Sequence, residues 1–417
     1  MTSPPPEDPA TEVTEGHDAP DLRTIVEEIS LGVGRLRAFA KRARAKDPGA
    51  SPAAASSPAR VDSRLQQMEA RVRAQSEALK RNQALWGKIL RKEGVQWAHE
   101  WEEDRLARRL SRLADSGRPV FVGPWRGEVG IELLYWIPFL SWVYANTPIA
   151  PERTVIVSRG GVDSWYRGIG ASYLDVLDVI SPDEFMQASV TAKKQRQVSG
   201  FDRTFMRLVQ AKQDNRALLL LHPSLMYRLF DPYWRGEVPA SLVEATTRYR
   251  PLERPPAPPW RSQLPDEYVA VKFYFGTQFP DTPDNRRFVA DTIQQLAERD
   301  PVVIVDVNLR LDEHEPLASG GKNVFHLHDL PISPGRNLDV QSQVIAHAKF
   351  LVGTYGGIAH VAPFYDVPSM LVYSNDAGFF RHHVELAQRV FRRMTNAPFV
   401  VLRTNEWSMM RPALRAL

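Results

Sequence analysis

The sequence predicts an α/β protein. Two domains, each a parallel sheet with crossover helices, face a cleft, preceded by a disordered segment and a long helix. Three observations carry this. From residue 118 onward, short apolar runs rich in β-branched residues alternate with helical stretches, the pattern of parallel sheets with right-handed crossovers. A run with five prolines, RPLERPPAPPWRS (250–262), breaks that series in two. Residues 61–117 contain no proline and repeat apolar positions at heptad spacing.

Residues 1–60 read as mostly disordered, with Pro/Ala/Ser-rich stretches at 3–20 and 47–59 around one short helical pattern, 22–45. That pattern ends in Lys41, Arg42, Arg44 and Lys46, which suit either a solvated helix or contact with an acidic membrane surface or partner. In 61–117, Leu65, Met68, Val72, Gln75, Leu79, Asn82, Trp86 and Ile89 form a heptad seam. It serves either a homodimer through 61–93 or packing on the chain's own domains. The first α/β domain spans 118–250, with strands at PVFVG (119–123), TVIVS (154–158) and ALLLLHPS (217–224). A stiff linker, 251–264, leads to the second domain, 265–395. Its strands are YVAVKFY (268–274), PVVIVDV (301–307), VFHLH (324–328), FLVGT (350–354) and SMLVYS (369–374), with helices at 284–299, 339–349 and 357–365. Residues 396–417 are expected to form a strand and helix returning to the first domain.

Composition removes several functions. The 417 residues include no cysteine, which excludes disulfides, thiol catalysis and cysteine-ligated metals and fits a cytoplasmic setting. A net charge of +4 does not suggest nucleic-acid binding. The acidic, proline-rich N-terminus is unlike a signal peptide. The most apolar stretch, Val129 to Ala145, contains Glu132 and Pro138 and is shorter than a spanning helix needs. A soluble or peripherally attached protein is expected. No P-loop, H-E-x-x-H or G-x-S-x-G occurs. No D-x-D occurs either, so no metal-binding pair is expected.

The strongest chemical signal is VIAHAKFLVGTYGGIAHVAPFYDVPSMLVYS (344–374). A buried strand ends at Gly353-Thr354-Tyr355, and Gly356-Gly357 opens a helix carrying His360. A glycine pair there lets backbone N–H groups approach a phosphate, with Thr354 and His360 as further partners. The same residues also suit a tight strand-to-helix turn with a half-buried histidine. The second signal is VFVGPWRGEVGIELLYWIPFL (120–140), a strand, a glycine loop and an aromatic helix that place Glu128 at the loop tip. Glu128 is either a reactive carboxylate or a first-turn complement to the helix dipole. Glu132 is its rival one turn on.

These two segments resemble the two-domain GT-B glycosyltransferases, in particular the ADP-heptose lipopolysaccharide heptosyltransferases. Gly353, Thr354, Gly357, His360, Ala362 and Pro368 match that family's D-T-G-x-x-H-x-A-A-x-x-x-x-P run, while Tyr355, Gly356 and Pro363 depart from it. Gly127-Glu128 and Pro138 match its first loop, where the carboxylate is the catalytic base. The resemblance implies two Rossmann-like domains. It also implies inverting, metal-independent transfer from a nucleotide-diphosphate sugar to a glycan or protein hydroxyl, with no cofactor. Glu128 would be the base, and Lys272, Thr354, Tyr355, Gly356, Gly357 and His360 would bind the donor. Arg126, Gly127 and Arg159 are candidates for acceptor or phosphate. His222, Asp306 and Asn308 close strands and suit either the site or local capping. Two other readings stay open: a nucleotide-sugar 2-epimerase, and a scaffold that binds nucleotide sugar without turnover.

Overall fold

Residues 99–191, 194–212, 218–306 and 321–406 are described in a computed structural model of the chain, with a few helical positions between 66 and 81. The eight seam positions lie outside the described residues, as does Asn308. Residues 95–417 form one compact unit, distinct from 1–94.

Within it, ten described strands make two wholly parallel sheets. The first holds β1 (Val120–Val122), β2 (Thr154–Ser158), β3 (Ser172–Asp175) and β4 (Leu219–Leu221), in the order β3-β2-β1-β4. The second holds β5 (Val269–Lys272), β6 (Val302–Ile304), β7 (Val324–His326), β8 (Leu351–Thr354), β9 (Ser369–Tyr373) and β10 (Phe399–Arg403). Its order, β7-β6-β5-β8-β9-β10, is the doubly wound Rossmann order, and the first sheet follows its first four places. Strand order therefore reverses between β1 and β4, and again between β5 and β8. Crevices for ligands form at the carboxyl ends of such reversals.

Two strands depart from the expected set. β3 was not foreseen. The segment expected to return to the first domain instead lays Phe399–Arg403 beside β9, register Val401↔Leu371, as an edge of the second sheet. Backbone pairing on an open sheet edge satisfies the N–H and C=O groups of that strand that face β9.

The helix over 99–115, α1, buries Leu106, Leu110 and Leu113, a stripe at helical spacing. Arg109 reaches the Leu220 carbonyl at 2.7 Å, and Arg153 reaches the Leu113 carbonyl at 2.8 Å. This helix packs on the first domain. The next helical run, α2, joins Val129–Ile131, a π turn at Glu132–Trp136 and Ile137–Asn146. Pro138 has no N–H for the Leu134 carbonyl, which accepts the Tyr249 hydroxyl at 2.9 Å instead. The following helices of the first half are α3 (Pro182–Thr191), α4 (Gly200–Lys212), α5 (Ser224–Trp234) and α6 (Ala240–Ala245). The second half adds α7 (Pro283–Ala297), α8 (Asn337–Ala346), α9 (Val361–Phe364) and α10 (Arg381–Met394).

One apolar core runs through both halves, from Trp125, Trp136 and Phe139 to Ile345, Phe364 and Phe391. Polar contacts follow it. The Tyr135 hydroxyl meets His383 at 2.6 Å, and Tyr233 donates to the His382 carbonyl at 2.6 Å. The Asp339 N–H donates to the Gly160 carbonyl at 2.8 Å. The proline-rich linker is tied down too, since the Leu252 N–H donates to the Phe364 carbonyl at 2.8 Å.

Candidate active site

The loop after β1 is held by atoms that only glycine admits. At Gly123, φ is +118°, and a Cβ would lie 2.4 Å from the Val157 carbonyl oxygen. Trp125 then stacks between Trp136 and Tyr227, with centroids 5.9 and 6.0 Å away. The Gly127 carbonyl accepts Arg159 Nη2 at 2.6 Å. Glu128 follows with extended backbone (φ −65°, ψ 145°) and an exposed side chain at the head of α2.

Its rival is placed quite differently. Glu132 is fully buried, and Oε1 accepts both the Ser158 and Tyr166 hydroxyls at 2.5 Å. Oε2 accepts Arg159 Nη1 at 2.8 Å. Arg159 thus bridges the buried carboxylate to the loop that carries Glu128. Its guanidinium is committed to protein atoms rather than presented to a phosphate.

Arg126 is likewise enclosed. It meets Asp202 at 3.2 Å, the Ala188 carbonyl at 2.6 Å and Ser199 at 3.3 Å, with its guanidinium over the Phe201 ring. Burial lowers its pKa, and the Asp202 charge opposes that. Burial would raise Asp202, but His222, Arg126 and Ser199 outweigh it and bring the carboxyl down to about 2. His222 sits 3.3 Å from Asp202 and accepts the Ser224 N–H at 3.0 Å, just beyond the end of β4. This network braces the loop from behind, with the Arg126 guanidinium enclosed by protein atoms.

In the second half, Lys272 closes β5 opposite Gly353 of β8, half-buried at the strand reversal. Thr354 is buried. Its hydroxyl accepts the Tyr274 N–H at 3.2 Å and donates to the Tyr274 carbonyl at 3.1 Å, joining the ends of β5 and β8. The Tyr355 carbonyl accepts the Tyr274 hydroxyl at 3.3 Å and Gln278 Nε2 at 2.9 Å. The glycine pair has packing reasons of its own. A Cβ on Gly356 would fall 1.4 Å from the Tyr274 hydroxyl, and one on Gly357 would lie 3.1 Å from Gly130 N. The helix they open is a 3₁₀ turn, Gly357–His360, followed by the single α turn of α9.

At this turn the halves touch. A Cβ on Gly130 would lie 2.9 Å from His360 Nδ1 and 3.0 Å from Gly357 Cα. The phenols of Tyr227 and Tyr355 are pushed up, chiefly by burial, and the Glu128 charge adds to both shifts. Glu128 therefore lies near one tyrosine from each half. Tyr227 also lines a cavity of about 290 Å³ whose Arg196, Arg228 and Arg235 are paired with Asp231, Glu102 and Glu237.

His360 is 4% exposed and rests on Phe399 and Phe391. Burial lowers its pKa to about 4, and that of His383 to about 3. Both imidazoles are neutral at pH 7, so His360 can hydrogen-bond but brings no positive charge to a phosphate. A stability prediction follows. The unfolded chain protonates these histidines near pH 6.5, whereas the native chain resists until about 4 and 3. Their contribution is full above about pH 6.5 and falls by ~1.4 kcal/mol per pH unit and per histidine below it. Urea unfolding between pH 7 and 4.5 is expected to show this decline, with a shallower one in His360→Gln. A midpoint that stays flat over the window contradicts it.

The sequence reading missed two features. One is Tyr274 with Gln278, which fasten the Tyr355 turn. The other is the meeting of Asp306, His326 and His328, whose only sequence signal is H-x-H at the end of a strand.

No protein-family model and no curated protein matches this chain. Among solved structures it is similar to a glycosyl transferase family 9 protein from Veillonella parvula DSM 2008. The identity is 14% and the TM-score 0.38, over 72% of this chain and 90% of that one. It is similar to E. coli ADP-heptose lps heptosyltransferase II at 11% identity and TM-score 0.37, over 68% and 89%. The iron-containing dodecameric glycosyltransferase TibC from enterotoxigenic E. coli H10407 is similar at 14% identity and TM-score 0.33. That match covers 61% of this chain and 58% of TibC, less than two thirds of its length. Among the described residues, no helix is long and apolar enough to cross a membrane.

Proposed function

We propose that this chain is a glycosyltransferase moving a sugar from a nucleotide-diphosphate donor to a hydroxyl of a glycan or protein acceptor, with inversion. One observation carries the reading. Glu128 is an exposed carboxylate on the loop at the first sheet's strand reversal, clamped through Gly127 and Arg159, at the point where the second half's Gly357 turn meets α2. Glu128 would accept the acceptor hydroxyl's proton as that oxygen attacks the anomeric carbon. The bond from that carbon to the diphosphate breaks on the opposite face, which inverts the centre. Lys272 and the backbone N–H groups of Gly356 and Gly357, which open the turn, would meet the diphosphate, without a bridging metal. Such chemistry suits the cytoplasm or the inner face of a membrane.

A thermal-shift panel of nucleotide sugars, followed by assay of nucleotide diphosphate release with and without glycan acceptors, tests it. A donor at 100 times its Kd adds ~2.7 kcal/mol of stability. Binding with acceptor-dependent release supports transfer. Release without acceptor points to the epimerase reading, and binding without turnover to the scaffold. Absence of binding by every donor overturns the proposal.

A further inference from the structure

We propose that Asp306, His326 and His328 form a binding site for a divalent transition-metal ion of the zinc class. Asp306 lies two residues beyond β6, His326 ends β7, and His328 sits in the 3₁₀ turn that follows. The two strands are paired, Ile304 against His326, so the backbone brings the three side chains to one sheet edge before any ion is considered. His326 Nδ1 and His328 Nδ1 lie 3.0 and 2.7 Å from the same Asp306 oxygen, Oδ2. A candidate ligand atom from each residue lies within 4.8 Å of the others. Ligands held about 2.0–2.1 Å from a tetrahedral ion stand about 3.3 Å from one another. The two spacings from Asp306 Oδ2, 3.0 and 2.7 Å, are already close to that value.

A second observation points to a ligand. Asp306 is 5% exposed, and among the described residues its other oxygen, Oδ1, is buried with no hydrogen-bond partner. A buried acceptor left unmade is costly, and hydrogen bonds from the two imidazoles to Oδ2 do nothing for it. A cation bound by both carboxylate oxygens would relieve it. The donor set chooses the ion. Two neutral imidazoles with one carboxylate suit zinc, iron, cobalt or nickel, whereas magnesium and calcium prefer oxygen alone. Three protein ligands leave a fourth position for water or another ligand. Nδ1 coordination would also leave His328 Nε2 as an N–H facing Asp329, 3.6 Å away, in the carboxylate–imidazole–metal arrangement that orients ligating histidines.

The test uses the full chain purified without a histidine tag. Elemental analysis after growth with added zinc should find about one metal per chain. Cobalt(II) added to chelator-treated protein should give visible ligand-field absorption, and zinc should raise the melting temperature. Asp306→Asn and His328→Gln should each lose the metal, the cobalt spectrum and the zinc-induced shift. Circular dichroism shows whether these variants are folded, and if either is not, chelation and reloading of the unmodified chain decide the matter. A chain that carries no metal, gives no cobalt absorption and does not respond to zinc overturns the site. So do folded variants that keep the full metal content. Metal content and stability are read without any activity, so failure here leaves the transfer reading untouched.

Discussion

Replacing Glu128 by Gln is expected to lower turnover by roughly 10²–10⁴ while donor affinity and stability stay close to those of the unmodified chain. Glutamine keeps the size and hydrogen-bonding reach of the side chain but cannot take up the acceptor's proton. The side chain is exposed, and among the described residues no fold contact depends on its charge, so the change in stability should stay within about 0.5 kcal/mol. Steady-state release of nucleotide diphosphate with acceptor measures the first quantity, and the donor's thermal shift measures the second. A loss in turnover with an unchanged shift separates a chemical role from a binding one. Unaltered turnover would remove Glu128 as the base. Arg159→Lys offers a graded companion. A lysine cannot span both the Gly127 carbonyl and Glu132 as the guanidinium does, at 2.6 and 2.8 Å. The loop then loses its clamp, and turnover should fall less than in Glu128→Gln.

Much of the frame was legible because central parallel strands are apolar on both faces. TVIVS is the whole of β2, and FLVGT and SMLVYS nearly coincide with β8 and β9. β3 escaped because SYLD is a half-exposed edge with no β-branched residue to mark it. FVVLR does read as a strand, but its choice of sheet edge is a tertiary matter that its own residues do not encode. The site was legible as two loops and illegible as directions. In an irregular loop such as GPWRGE no period assigns a side chain to a face, so Arg126 reads as a ligand although Asp202 encloses it. A glycine pair reads alike whether a phosphate or a protein atom fills the missing side chain's place. Here the Tyr274 hydroxyl and the Gly130 backbone do so. Asp306 and the two histidines are some twenty residues apart, and only the pairing of β6 with β7 brings them together.

Glu132→Ala is expected to cost about 3–5 kcal/mol of stability, the range for removing one partner of a buried ion pair. Glu132 is fully buried, with three donors converging on it, and Arg159 opposite is 11% exposed. Alanine leaves the guanidinium facing a void and removes the acceptor of the Tyr166 hydroxyl, a phenol whose pKa is raised well above its ordinary value by burial and by that same carboxylate. Glu132→Gln should cost less, because its amide oxygen can still accept from Ser158 and Tyr166, although its amide N–H group replaces the charged oxygen that accepts from Arg159. Urea unfolding of the three chains should therefore order them as unmodified, Gln, Ala. Glu128→Ala should lie beside the unmodified chain. Glu132→Ala matching the unmodified chain within about 0.5 kcal/mol would show that the buried carboxylate does not hold the loop. The two glutamates stand one helical turn apart, and opposite responses are what separate them: chemistry lost with the fold kept at 128, and fold weakened at 132. The reverse pattern would move the proton acceptor to Glu132 and require the Tyr166–Arg159 network to open before any acceptor hydroxyl could reach it.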